Sequence, residues 1–226
     1  CGSLSHRSVG TLGNPSIFGC WLSMCLPFCL NLGKKGILSS SLAIVMIVLS
    51  QSAIGIVSMV IGILIFLAFR SKILFAIVLS VVMVSSVFVA YNCKGFLNPT
   101  GRVEVHRESW KILKEKPLTG LGLGSFEYLV GNNPEVAKRM NKQNWEAMHD
   151  EYGQAWFETG FIGLILLLGF IASVIYRFCR NYKKENVAMF ASFVVFLIVC
   201  TAHFGLRVSP LSFYGVTITA FLLRGE

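Results

Sequence analysis

Charged residues are scarce in this chain of 226 residues, since they make up 14% of it against 54% hydrophobic residues. A soluble domain carries about 25% charged residues. Several apolar runs reach about the 20 residues that cross a bilayer. The composition argues against one large soluble core and predicts an integral membrane protein. The alternative is an unusually oily soluble helical protein.

Acidic residues are also few, with 11 Asp and Glu against 20 Lys and Arg, so the net charge is +9. In a soluble protein this excess would suggest a nucleic-acid partner. Nine of the 20 basic residues, however, lie in short loops beside apolar segments, where orientation in a bilayer explains them. We therefore predict a lipid bilayer as the partner of this chain and no nucleic acid.

The cysteines show no pattern typical of a metal site or of a disulfide framework. Four of the seven lie inside apolar runs, where cysteine is typical as a small buried residue. Neither a Cys-x-x-Cys pair nor a Cys/His metal spacing occurs, so we expect no structural zinc site. No cofactor is predicted for this chain. The start lacks both a secretory signal peptide and an initiator Met, and we expect a fragment that has lost upstream membrane segments.

What the chain has instead is a series of seven apolar segments. A polar turn at Ser50-Gln51-Ser52 separates the second from the third, because one helix over both would be about 50 Å long in a ~30 Å hydrocarbon core. The last segment contains Pro210 and Gly215, and we expect it to be bent or partly re-entrant. The segments are 15–32, 37–49, 53–69, 73–91, 161–176, 187–204 and 209–223.

Loop charges predict the orientation of these segments. Nine basic residues lie in alternate short loops and at the C-terminal end, whereas the opposite short loops hold only Arg7 and Arg207. Positive loops face the cytoplasm. We therefore predict an all-α polytopic protein with seven crossings, with transmembrane segments over 1–92 and 158–226. One long extracytoplasmic helical loop covers 93–157.

The polar stretch 98–160 holds nine of the 11 acidic residues, two of the four His and three of the four Trp, so we expect it to carry a site. One helix is predicted from about Arg102 to Pro117, with Thr100 as its cap. A second is predicted over about 145–159. Side chains four residues apart share a helix face. The predicted faces are Arg102, His106 and Trp110 in the first helix, and His149, Tyr152 and Trp156 in the second.

Glycine-rich residues 120–124 read Gly-Leu-Gly-Leu-Gly. They do not match a dinucleotide loop, because Ser125 stands where the last Gly is needed, and no Lys-Ser/Thr follows as in a P-loop. We interpret the stretch as a turn that bends the chain.

Arg102 is the candidate for anion binding, because it lies at a predicted helix N-terminus, where N–H groups and the helix dipole favour negative charge. Guanidinium groups bind phosphate oxygens through two parallel hydrogen bonds. Arg7, Arg107 and Arg207 are predicted on the same side of the membrane. The functional interpretation is a diphosphate clamp, and the alternative is a solvated basic surface near lipid headgroups.

His149 is the candidate base, because a neutral imidazole accepts a proton from a hydroxyl near pH 7 and a carboxylate can orient it. Asp150 and Glu151 are candidates for that carboxylate. The alternative is a structural or interfacial histidine. His203, at the outer end of the sixth segment, either lines a cavity or is a satisfied buried histidine, and Glu158 is expected to be structural.

Three stretches follow one another in the polar region: Gly-Arg-x-Glu at 101–104, Pro-Leu-x-Gly-x-Gly-x-Gly-x-Phe at 117–126, and His-x-Glu-Tyr-x-Gln-x-x-x-Glu-Thr-Gly-x-x-Gly at 149–163. Upstream, 10–15 reads Gly-Thr-Leu-Gly-Asn-Pro. In this order and topology the chain resembles the C-terminal part of the O-antigen ligase and O-antigen polymerase superfamily.

The resemblance implies an inverting, metal-independent glycosyltransferase of the GT-C type in the bacterial cytoplasmic membrane, with its site facing the periplasm. Such enzymes move a glycan from undecaprenyl diphosphate to a hydroxyl of a glycan, lipid A-core or protein acceptor. By this match Arg102 holds the diphosphate, and His149 is the base or positions the acceptor. The residues expected to contact substrate are Arg7, Arg107, Arg207, Glu151, Tyr152 and Gln154.

Two positions depart from the family pattern. Asp150 stands where the family often has Asn, and Ala53 stands where the outer turn usually reads Ser-x-Ser-Arg. A phosphate-binding Arg is thus missing. Either Arg7 or Arg207 compensates, or donor binding is weakened, or the chain is a diverged or incomplete copy.

A different class of protein, a non-enzymatic polysaccharide exporter or flippase, is the second hypothesis. Transport predicts polar residues along the mid-membrane faces of the helices. The second to sixth apolar segments contain mainly Ser and no full charge, which argues against this hypothesis.

Overall fold

The computed structural model describes residues 10–92, 102–139 and 145–224. Regular secondary structure in these ranges is helical throughout, which confirms the predicted all-α class. Each of the predicted apolar segments contains an α-helix. The α-helices are α1 (Pro15–Asn31), α2 (Ile37–Leu49), α3 (Ala53–Arg70), α4 (Lys72–Asn92), α5 (Arg102–Leu113), α6 (Pro134–Arg139), α7 (Glu151–Arg180), α8 (Val187–Val199) and α9 (Ser209–Arg224).

Two of these helices, α3 and α7, are long and apolar enough to cross a membrane by length and composition. Helix α1 and the Lys72–Ser85 part of α4 are apolar but shorter. The count of seven crossings therefore stays a prediction.

The predicted polar turn between α2 and α3 is confirmed. Gln51 has a φ of 51°, which ends α2. The Ser52 hydroxyl then accepts the Gly55 N–H at 3.1 Å and caps α3. Ser50 is buried, and its hydroxyl donates to the Ile47 carbonyl at 2.6 Å. These serines satisfy backbone groups at the two helix ends, which is why the chain can turn within a few residues.

The structure divides into two compact units. The first unit is Cys1–Phe88, Tyr176–Val199 and Gly205–Glu226, and the second is Val89–Ile175 and Cys200–Phe204. In the first unit, α1 packs against α2, α3 and α8, and α9 packs against α8. Its apolar core includes Leu26, Ala43, Ile47 and Met59.

Small residues bring α1 and α3 close together. A Cβ added to Gly55 would lie 3.0 Å from the Gly19 carbonyl carbon. The Ser23 hydroxyl lies within hydrogen-bond distance of the Gly55 carbonyl, at 2.8 Å, and of the Gly19 carbonyl, at 2.7 Å. Small residues at helix interfaces are typical of membrane proteins, since they let two backbones approach closely.

Arg70, the last residue of α3, joins three of the basic loops at one end of the first unit. Its guanidinium donates to the Asn31 side chain at the end of α1 and, at 3.3 Å, to the Lys184 carbonyl just before α8. The guanidinium also lies 5.5 Å from the centroid of the Phe66 ring. The basic loops therefore share one end of this unit as predicted, and the side of the membrane that they face stays a prediction.

Helix α9 is one continuous α-helix, and Pro210 lies in its first turn, where its missing N–H costs no hydrogen bond. The expected bend or partial re-entry of the last segment stays a prediction. The predicted end of the sixth segment is wrong. Helix α8 ends at Val199 and not near 204, and the next carbonyl, of Cys200, accepts the Glu151 N–H at 2.9 Å.

Candidate functional site

Helix α5 begins at Arg102 as predicted but ends at Leu113, before the expected stop at Pro117. The residue before a proline is disfavoured in helical conformation, and turns over 114–116 replace the last helical residues. Val105 and Leu113 are buried in the core of the second unit. His106 is half-buried, and Trp110 is 50% exposed. The predicted Thr100 cap and the side chain of Arg102 lie outside what the structure describes.

One apolar cluster joins the parts of the second unit. It brings Val105, one turn into α5, together with Trp145 and Met148, which precede His149, and with Phe157 of α7. Phe126, at the end of the Pro-Leu-x-Gly stretch, packs on Phe157 with ring centroids 5.6 Å apart. The second and third family stretches thus share one core with α5, the helix that begins in the first stretch.

Helix α7 is broken at Gly160, where φ is 72° and ψ is −174°. In an unbroken helix the N–H groups of Phe161 and Ile162 would donate to the carbonyls four residues earlier. Instead they donate to the Pro117 and Leu118 carbonyls, at 2.9 and 3.4 Å. This leaves two carbonyls of α7 without their usual helical donors.

Those two carbonyls, of Phe157 and Glu158, accept the N–H groups of Leu121 and Gly122, both at 2.9 Å. Backbone from 117–122 is therefore inserted into the hydrogen-bond ladder of α7 and satisfies both sides of the break. The prediction that the glycine-rich stretch bends the chain is confirmed, since its three glycines all have positive φ.

Gly120 and Gly160 make this insertion possible. A Cβ on Gly160 would lie 2.1 Å from the Leu118 carbonyl oxygen, and a Cβ on Gly120 would lie 2.4 Å from the Gly160 nitrogen. Both residues also have φ near 70°, which costs other L-residues about 1–2 kcal/mol. The two glycines of separate family stretches are thus required by the same backbone contact.

Trp156 contacts both the inserted segment and α5. Its indole N–H donates to the Pro117 carbonyl at 3.1 Å, and its ring packs edge-on against Trp110 with centroids 5.1 Å apart.

The second predicted helix begins later than expected, at Glu151 rather than near 145. Asp150 is its N-cap, because its Oδ1 accepts the Tyr152 N–H at 3.1 Å and its carbonyl accepts the Gln154 N–H at 2.9 Å. The prediction that His149 shares a helical face with Tyr152 and Trp156 is therefore wrong. The signal was present, since Asp is a preferred N-cap residue.

His149 lies just outside the helix in a left-handed conformation, with φ 59°. A non-glycine residue rarely adopts this conformation, because it costs about 1–3 kcal/mol. Residues strained in this way cluster at functional sites. Three rings lie around the imidazole. The centroid distances are 4.0 Å to Phe204, 5.0 Å to Trp145 and 6.3 Å to His203. The spacing of residues in the sequence provided no signal for Trp145 or Phe204.

Gln154 is buried, with 3% of its surface exposed, and both ends of its amide are used. Its Oε1 accepts the Met148 N–H at 2.8 Å, and its Nε2 donates to Glu158 Oε1 at 2.7 Å. This geometry favours a role in holding the chain before His149 over direct contact with substrate. Glu158, expected to be structural, is the partner of that amide.

Glu151 and Tyr152 occupy the first turn of α7. Glu151 is buried, and its N–H donates to the Cys200 carbonyl at 2.9 Å. Tyr152 precedes the break at Gly160 and so lies outside the apolar part of the helix. Burial raises the pKa of the Tyr152 phenol well above its ordinary value, so the phenol is neutral at physiological pH and keeps its donor hydrogen.

Three predicted arginines remain. Arg107 is exposed on α5, Arg207 belongs to the first unit, and Arg7 lies outside the described residues. Where the structure describes the chain, no three His, Cys, Asp or Glu side chains are grouped so as to hold a metal ion.

The fold is helical throughout its described parts, and two of its helices are long and apolar enough to cross a membrane, as the predicted class of helical membrane protein requires. A family model described as O-antigen ligase matches residues 38–168, more than half of the chain. The chain belongs to the O-antigen ligase family, an integral membrane family, and this confirms the resemblance. A comparison with curated proteins finds no match.

The match sets the coarse function. The family is one of membrane enzymes in glycan assembly, with a lipid-linked glycan and an acceptor as substrates. The matched residues include Arg102, the inserted segment 117–122 and His149. Arg7, His203 and Arg207 lie outside the match.

Proposed function

We propose that this protein transfers a glycan from undecaprenyl diphosphate to an acceptor hydroxyl at the outer face of the bacterial cytoplasmic membrane. It acts as an inverting, metal-independent glycosyltransferase of the GT-C type. The observation that carries the proposal is the setting of His149, which has a left-handed backbone directly before the N-cap of α7 and is surrounded by three rings. Strain of this kind is typical of functional sites.

His149 is the base in this proposal. Its neutral imidazole takes the proton of the acceptor hydroxyl as that oxygen forms a bond to the anomeric carbon of the donor glycan. The bond from the anomeric carbon to the diphosphate oxygen breaks on the opposite face, so the configuration inverts. The proton then passes from the imidazolium to solvent.

Arg102 compensates the charge that appears on the leaving diphosphate, because it is the first residue of α5, where backbone N–H groups also favour anions. Arg7, Arg107 and Arg207 supply further positive charge to the diphosphate or the glycan in this proposal. Glu151 and Tyr152 are the remaining candidates for contact with the acceptor, next to the base.

The test is transfer in membranes of a strain that lacks the endogenous gene and expresses variants of the full-length protein. His149→Ala and Arg102→Ala each abolish transfer of the strain's own lipid-linked glycan and leave the amount of protein in the membrane unchanged. His106→Ala and Lys114→Ala are matched controls, since they remove a histidine and a cation of the same unit and retain transfer. Normal transfer by His149→Ala or by Arg102→Ala would show that the substituted residue has no role in the reaction.

The family description favours ligation over polymerisation. Deletion of the gene followed by analysis of surface glycans separates the two reactions. Long chains that stay on the carrier lipid identify a ligase, whereas short unpolymerised units on the acceptor identify a polymerase. A purified protein that moves lipid-linked glycan across vesicles without joining it to an acceptor would favour the exporter hypothesis instead.

A further inference from the structure

The short segment after α8, Cys200–Phe204, leaves its helix and belongs to the same compact unit as His149. Its first carbonyl, of Cys200, accepts the N–H of Glu151 at 2.9 Å, and Glu151 opens α7 two residues after His149. At the other end of the segment, the Phe204 ring contacts the imidazole of His149 at a centroid distance of 4.0 Å. Both ends of the segment thus contact the chain around His149.

His203 directly precedes Phe204 in this segment. Its side chain is buried, with 7% of its surface exposed, and its Nδ1 accepts the Phe204 N–H at 2.9 Å. His203 is therefore a buried histidine with a satisfied nitrogen, one of the two alternatives that the sequence left open. The bond holds its ring against the peptide group that leads into Phe204, the residue that contacts His149.

We propose that His203 and Phe204 are positioning residues that hold the His149 imidazole in its productive orientation, an inference that rests on the role proposed for His149. The backbone of His149 is in a left-handed conformation that is unfavourable for a non-glycine residue and persists only where its surroundings impose it. The 4.0 Å ring contact supplies part of that constraint. A base displaced by about 1 Å can lose 100-fold in rate, so the contact matters for catalysis and not only for packing.

The first experiment measures how far the ring of Phe204 covers the His149 imidazole, and it does not depend on a transfer assay. The full-length protein in native membranes is treated with diethyl pyrocarbonate, and the rate of carbethoxylation of His149 is followed by mass spectrometry. Phe204→Ala uncovers the imidazole and raises the rate severalfold, whereas Phe204→Tyr, which keeps the ring, leaves it unchanged. Equal rates in wild type and Phe204→Ala would overturn the proposal.

The second experiment uses the geometry of the His203 bond. Asn places a side-chain acceptor where Nδ1 lies, whereas Gln places its amide near Nε2 and Ala has no acceptor. We expect His203→Asn to retain most of the transfer rate and His203→Gln and His203→Ala to lose about tenfold to 100-fold in kcat, with KM for the lipid-linked glycan little changed. Equal rates for the Asn and Ala variants would contradict the assignment.

Tyr128→Ala is the control, because Tyr128 is an aromatic residue of the same unit that is 85% exposed, and it changes neither readout. The two proposals fail separately. If His149→Ala retains transfer, the role of His149 as base is wrong whatever the His203 variants do. If His149→Ala abolishes transfer while Phe204→Ala leaves both kcat and carbethoxylation at wild-type values, only the positioning role is wrong.

Discussion

The two compact units of this protein bury different kinds of polar side chain. In the first unit, every buried polar side chain that the structure describes is a serine or threonine. The second unit buries carboxylates, an amide and an imidazole. The first set is Ser23, Ser40, Ser50, Ser52, Ser58, Ser192 and Thr219, and the second is Glu108, Ser109, Glu151, Gln154, Glu158 and His203.

The difference follows from the cost of burial. A hydroxyl can bond back to a carbonyl of its own helix, as Thr219 does to Gly215 at 2.8 Å, so it needs no partner from elsewhere. A buried carboxylate or amide costs more unless a specific partner is in place. The first unit therefore tolerates local changes, whereas the second depends on particular partners, an arrangement that suits a site more than a scaffold.

Backbone hydrogen bonds show the same contrast. In the first unit, helix ends are closed by nearby residues such as Ser52 and Asn14. In the second unit, the ladder of α7 is interrupted, and backbone some 40 residues away completes it. The geometry of the second unit thus depends on contacts that no single helix provides.

The largest effect is expected where the inserted segment crosses α7. Gly160→Ala and Gly120→Ala each force a Cβ within 2.4 Å of backbone and require an unfavourable φ, so we expect a loss of about 3 kcal/mol or more. The measurement is the melting temperature of the detergent-purified protein, together with limited proteolysis of the loop.

Two other glycines serve as matched controls for this change. Gly122→Ala meets no atom within 4 Å but has positive φ, so it tests strain without a clash and is expected to cost about 1 kcal/mol. Gly169 lies in α7 with open space around a Cβ, so Gly169→Ala is expected to stabilise the protein slightly, because Ala favours a helix over Gly by about 0.5–1 kcal/mol. If Gly160→Ala melts like Gly169→Ala, the insertion into the helix is wrong.

An intermediate effect is expected when a buried polar side chain is removed from each unit and the two losses of stability are compared. Gln154→Ala leaves the Met148 N–H and the Glu158 carboxylate without their amide partner, at a cost of about 2 kcal/mol. Ser23→Ala in the first unit removes a hydroxyl from carbonyls that lie in helices, at a cost of about 0.5–1 kcal/mol. Chemical denaturation of the purified variants gives both values.

The same pair separates stability from activity. Gln154→Ala lowers transfer per folded molecule, because the chain before His149 loses its hydrogen bond to α7. Ser23→Ala leaves transfer per folded molecule unchanged. Equal destabilisation and equal transfer in the two variants would remove the contrast between a scaffold unit and a site unit.

The smallest effect is expected at Asp150, where Asn and Ala variants separate two roles. Asn is as good an N-cap as Asp, so Asp150→Asn keeps stability and transfer, while Asp150→Ala costs about 1 kcal/mol. A carboxylate that orients His149 predicts a different result, namely a loss of transfer in Asp150→Asn at unchanged melting temperature. Transfer assays beside thermal melts decide between a cap and an orienting group.

Much of the helical framework was predictable, because apolar length and polar turns are local signals. The Ser50–Ser52 turn, the start of α5 at Arg102 and the bend at 120–124 all followed from short stretches of sequence. The errors concern the ends of helices. One helix was expected to begin near 145 and begins at Glu151, after its N-cap Asp150, and the sixth apolar segment was expected to reach 204, whereas α8 ends at Val199.

The sequence by itself determined the all-α class, because helix formation and apolar length are properties of neighbouring residues, and its motifs determined the family of membrane enzymes in glycan assembly. Only the tertiary structure decided that α7 opens at Gly160 to admit residues 117–122, and that Phe204 contacts His149. Those features join residues about 40 and 55 positions apart through backbone bonds and ring contacts. No periodic pattern encodes which distant carbonyl or ring will be the partner, so only the folded chain reveals them.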